Sequence, residues 1–130
     1  MKRIWLALVI LLMISAYAFA DANGLEQSFL EDGRLCQEDY LDDQGQLYIG
    51  EKGFARHVLV YDDENHVVRE EYYGEDLQLV TIPDGYAVIE RAFDDQDRVV
   101  WYRYLDAYEE PTEIKGIAEL TQGYDENGTF

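Results

Sequence analysis

The sequence predicts an all-β chain, an antiparallel repeat of β-hairpins with about 32 residues per unit and roughly seven strands. Three observations lead there. The openings Gly53-Phe54-Ala55, Gly85-Tyr86-Ala87 and Gly116-Ile117-Ala118 stand 32 and 31 residues apart, because 85 − 53 = 32 and 116 − 85 = 31. Eight residues after each glycine comes an aromatic, Tyr61, Phe93 or Tyr124, followed by Asp62, Asp94 or Asp125. Four residues after the aromatics Phe29, Tyr61, Phe93 and Tyr124 stand Gly33, Asn65, Asp97 and Gly128. Gly, Asn and Asp are the residues that accept a left-handed backbone.

Residues 1–20 read as a secretory signal peptide, with a basic start at Lys2 and Arg3 and an apolar run from Ile4 to Ile14. Ala18-Phe19-Ala20 then supplies small residues at a cleavage site. The rival is a retained anchor, but the 17 residues from Ile4 to Ala20 are short for a span of about 20. No membrane span is expected after cleavage.

The mature chain, 21–130, divides into units 21–52, 53–84, 85–115 and an incomplete 116–130. The first unit lacks the Gly and Ala of the opening, as a terminal repeat with one neighbour can. Within each unit, a run such as Tyr61-Asp62-Asp63-Glu64-Asn65-His66 reads as a hairpin turn. The flanks 54–61 and 86–93 are rich in aromatic and β-branched residues, and 67–73 and 99–105 form the return strands. The phase Ala55, His57, Leu59, Tyr61 and its counterparts is the expected core face. A second linker follows each hairpin at 42–45, 74–76 and 106–111, the last expected to be one residue shorter.

With 10 basic and 28 acidic residues the chain carries −18; the leader holds two bases and no acids, so the mature charge is 8 − 28 = −20. Such a field repels nucleic acid and anionic lipid, and it also keeps a two-sided sheet soluble. Cys36 is the only cysteine, so no intramolecular disulfide forms, and its alignment with Val68 and Val100 predicts a buried, inert thiol.

Candidate chemistry is sparse. Asp62, Asp63, Asp94 and Asp95 are weak candidates for calcium, being hard oxygen ligands on turns, but no calcium-loop spacing surrounds them. His57 and His66 have no partner at metal-ligand spacing in sequence. No nucleophile elbow or phosphate loop occurs, and no catalytic residue or cofactor is expected. Tyr40, Tyr72 and Tyr104 recur every 32 residues and read as core. The non-repeating Tyr73, Tyr102 and Tyr108 are the candidate ligand-binding residues, flat apolar rings with a polar handle.

The Gly-Tyr-Ala opening, the Tyr-Asp-x-x-Gly/Asn turn and the Glu-x-Tyr return strand resemble the tyrosine/aspartate-rich β-hairpin repeats of secreted and surface proteins of Gram-positive anaerobes. They are more distantly similar to bacterial Tyr-Asp repeats. The resemblance covers about residues 29–130. It implies a secreted module at the bacterial cell surface and brings no catalytic residue with it. The expected function is binding or spacing, with cell-wall glycan, peptide or another repeat protein as partner. A calcium-dependent adhesion module and a small secreted hydrolase are the alternatives.

Overall fold

The computed structural model describes residues 19–20 and 24–125. The signal-peptide reading therefore falls almost wholly outside the described residues, and so does Gly128. The described chain is all-β. Its strands are β1 (Phe19–Ala20), β2 (Leu25–Phe29), β3 (Leu35–Tyr40), β4 (Arg56–Tyr61), β5 (Val67–Tyr73), β6 (Val88–Phe93), β7 (Val99–Leu105) and β8 (Glu119–Thr121). Beyond the two-residue β1 there are seven, all antiparallel, in one open sheet whose spatial order follows the chain. The return strands β5 and β7 cover the stretches that alternation predicts.

The hairpin turns explain this regularity. In 62–66 the Asn65 N–H donates to the Asp62 carbonyl and the Asp62 N–H to the His66 carbonyl. Asn65 has φ of 70°. This is the three-residue hairpin loop, closed by one left-handed residue. Turns 30–34 and 94–98 have the same bonds, with φ of 90° at Gly33 and 64° at Asp97. The ladder register slips beside each turn, at Ser28/Phe29, Val60/Tyr61 and Ala92/Phe93. The Asp62 carboxylate accepts from the Glu64 and His66 N–H groups, both at 2.9 Å. Asp94 does the same for Gln96 and Arg98. An aspartate that satisfies two loop donors stabilises the turn from within.

The linkers between hairpins are more structured than the sequence suggests. Turns 42–46, 74–78 and 106–110 repeat the same loop, with Gly45, Leu77 and Glu109 at φ of 77°, 60° and 61°. A second turn follows at 50–54, 82–86 and 114–117. The 106–110 turn is thus not shortened, contrary to expectation. The missing residue falls at 114–117, where Ile114 and Ile117 exchange both backbone bonds. Lys115 and Gly116 there both take positive φ, 53° and 83°. A two-residue loop of the type I′ kind takes two left-handed residues, and the three-residue loop only one.

Burial also departs from a one-faced sheet. Ala55, His57, Ala87 and Ile89 of the expected core face are buried, but Leu59, Tyr61 and Phe93 are only half-buried. In β6, Val88, Ile89 and Glu90 are buried consecutively, so both faces are covered there. The linkers cause this. Ile82 and Val80 pack with Phe54, Tyr72, Tyr40 and Tyr86 on one face, while Leu79 and Ala107 cover Val88 and Leu105 on the other. Each strand packs only on its sequence neighbours.

Candidate functional site

The pleat sorts side chains between two faces. His57 pairs with Glu38 and Tyr72, and Glu70 with Leu59 and Ile89, which places these residues on one face. Arg56, Asp39, Arg69, Glu71, Glu90 and Arg103 lie on the other. Each face carries a ladder of charges running across the strands.

On the first face the His57 Nδ1 lies 3.0 Å from Glu38 and its Nε2 2.9 Å from Glu70. Gln27 donates to Glu38 at 3.0 Å, and Arg91 reaches the second oxygen of Glu70 at 2.6 Å. The imidazole stacks flat on Tyr72, 4.5 Å between centroids and 2° between planes. Burial works against the charged ring, but hydrogen bonds to Glu70 and Glu38 prevail and hold the His57 pKa above its ordinary value. The hydrogen bond from His57 in turn pulls the Glu70 pKa down to about 2, against its burial and with help from Arg91.

On the second face Asp39 takes a two-pronged bond from Arg56, at 2.8 and 2.9 Å. Glu90 is only 1% exposed and is held between Arg69 at 3.1 Å and Arg103 at 2.6 Å. Arg69 also bonds Glu71 and Glu109. All six described arginines, 34, 56, 69, 91, 98 and 103, are paired with carboxylates.

Aromatic rings form a third band. Tyr48, Tyr40, Phe54, Tyr72, Tyr86, Tyr104 and Tyr102 touch in succession at centroid distances from 5.0 to 6.0 Å. Tyr40 and Tyr72 belong to the packed cluster, as core tyrosines should. Tyr104 is half-buried against Tyr86.

The three candidate binding tyrosines do not share a face. Tyr73 pairs with Arg56 on the second face and is half-buried; burial and the Glu71 carboxylate push its pKa up to about 12. Tyr102 pairs with Arg91 and Leu120 on the first face. Tyr108 sits in turn 106–110 and is 88% exposed, the most exposed large apolar side chain among the described residues. Period-two alternation is the reason: residues 73 and 102 fall in opposite phases of the ladder.

Of the aspartates weighed for calcium, Asp62 and Asp94 are occupied by turn N–H groups, and Asp63 and Asp95 are exposed in the same turns. The histidines correct the sequence reading. His66 does have partners: Asp62 at 3.2 Å from Nδ1 and Asp97, 31 residues away, at 2.7 Å from Nε2. His57 has Glu38 and Glu70. Counting the hairpin register outward from the 62–66 turn would have placed Glu70 diagonal to His57. Cys36 is half-buried rather than buried, its thiol donating to the Ser28 carbonyl at 3.4 Å, and burial raises its pKa.

No protein-family model matches this chain, and no curated protein or solved structure matches it either.

Proposed function

We propose that this chain is a secreted, acidic hairpin-repeat module that binds or spaces at a bacterial cell surface and carries out no catalysis. The observation that supports the reading is the sheet's one-dimensional build. Strand order follows the chain, each strand touches only its neighbours, and left-handed turn residues recur at 33, 65 and 97 and again at 45, 77 and 109. Such an arrangement extends by adding units and presents long faces rather than one enclosed cleft. Export after Ala20 removes β1 and leaves β2 as the first strand, a change the hairpin β2–β3 tolerates because its own ladder is intact.

Binding through single exposed rings is weak, and affinity grows by repetition of units. Tyr108 is the best-placed contact, with Tyr73 and Tyr102 as half-buried contributors on opposite faces. The ligand class is cell-wall glycan or peptide. Retention of the chain on isolated cell walls tests this. Tyr108→Ser lowers retention while circular dichroism stays unchanged, and Tyr73→Ser and Tyr102→Ser lower it less. Absence of retention by the unaltered chain leaves spacing as the function; retention indifferent to all three substitutions removes these tyrosines from the site.

A further inference from the structure

At one end of the strands, turns 62–66 and 94–98 lie side by side and gather a histidine with two carboxylates. Glu64, His66 and Asp97 each offer one ligand atom, and these atoms lie within 4.8 Å of one another. The imidazole is held from two directions. It stacks on Phe93 at 4.3 Å and 12°, and Asp62 faces its Nδ1 at 3.2 Å. Its Nε2 points at Asp97. A carboxylate on one ring nitrogen is the support that aims the other nitrogen of a metal-binding histidine.

The corresponding positions elsewhere show that the hairpins do not need this arrangement. Arg34 and Arg98 stand 32 residues to either side of His66. Arg34 bonds Asp32 at 2.7 Å and lies over the Tyr61 ring at 4.5 Å. Arg98 bonds Asp94 at 2.9 Å and lies over the Tyr124 ring at 4.3 Å. Arginine thus does the stacking and pairing, but it has no lone pair to give a metal. Only at 66 is there a nitrogen ligand. The left-handed turn residue facing it is Asp97, where Gly33 and Asn65 occupy the like positions. Two departures from the pattern, in different hairpins, meet at 2.7 Å.

We propose that Glu64, His66 and Asp97 form a binding site for a divalent transition-metal ion such as zinc. One imidazole nitrogen and two carboxylate oxygens make a mixed set that suits zinc, with water in the remaining position. Calcium prefers six to eight oxygens and gains little from imidazole. Zinc bonds of about 2.0–2.2 Å spread tetrahedral ligands to about 3.3–3.6 Å, so Asp97 retreats from Nε2 by under about 1 Å while ligand atoms now up to 4.8 Å apart draw in by about 1 Å. Its exposed side chain on a turn permits that. The ion takes the place of the proton between Nε2 and Asp97, and it clips two successive hairpins together.

Zinc chloride titrated calorimetrically into the full chain tests the site, with calcium chloride as comparator. His66→Arg and Asp97→Asn keep the fold, since Arg34, Arg98 and Asn65 serve in those places already. One saturable zinc site per chain is expected, weakened about tenfold or more by either substitution, with no calcium binding at the same site. Zinc binding that both variants retain at full strength marks diffuse attraction to the acidic surface and overturns the proposal. So does the absence of a saturable site, or calcium binding that competes equally.

Discussion

Asn65 and Leu77 both sit in left-handed backbone, at φ of 70° and 60°, yet only one is suited to it. Asparagine tolerates that region and leucine is strained there, by about 1–2 kcal/mol relative to right-handed backbone. Leu77 is also 44% exposed, so its side chain returns only part of a buried leucine's stabilisation. Leu77→Gly is expected to stabilise by about 1 kcal/mol, since glycine already serves at the equivalent Gly45. Asn65→Val is expected to cost about 1–2 kcal/mol, because a β-branched residue resists positive φ. Thermal denaturation of the two variants reads both shifts. A fall in melting temperature for Leu77→Gly would mean that the leucine packs better than its exposure suggests.

At the scale of strands, the ladder Glu38–His57–Glu70–Arg91 joins β3, β4, β5 and β6. Its two titrating ends give opposite pH dependences. His57 has a folded pKa above the ordinary imidazole value of 6.5. Its contribution is complete below 6.5 and is lost as pH rises through the folded value. Glu70 has a folded pKa of about 2 against the ordinary glutamate value of 4.5. Its contribution is complete above 4.5 and is lost as pH falls toward 2. The ladder is therefore strongest between 4.5 and 6.5. His57→Gln is expected to lose most stability in that window and to approach the unaltered chain as pH rises beyond it. Urea midpoints from pH 4.5 into the alkaline range measure the difference. A deficit independent of pH would assign His57 a packing role on Tyr72 instead.

The described residues form a single sheet whose strands are supported only by their neighbours in sequence. Stability in such a chain falls toward both ends, because interior strands have two partners and edge strands one. The two largest fully buried side chains, Glu90 and Val88, both lie in β6. Amide hydrogen exchange is accordingly expected to be slowest in β5, β6 and β7 and faster in β2 and β8. Equal protection along the chain would require a contact between distant strands that the described residues lack. The same build limits the core to small clusters at the linkers, and the buried Glu90 carboxylate is satisfied there by Arg69 and Arg103.

Local chemistry determined what the sequence by itself makes legible. β-branched and aromatic alternation marked the return strands Val67–Tyr73 and Val99–Leu105. The preference of Gly, Asn and Asp for left-handed backbone marked the turns at 33, 65 and 97. Both signals act within a few residues, so no tertiary information is needed to read them. Leu77, Glu109 and Lys115 were not legible as left-handed, because their conformation is imposed by closure of the linker turns against their own preference. The two-faced burial of β6, the pairing of His57 with Glu38, and the meeting of His66 with Asp97 were decided only by the tertiary structure, whereas Glu70 follows from the register of its own hairpin. The two histidine contacts depend on register between residues 19 and 31 apart, in different hairpins. A slip of one residue would have put those side chains on opposite faces.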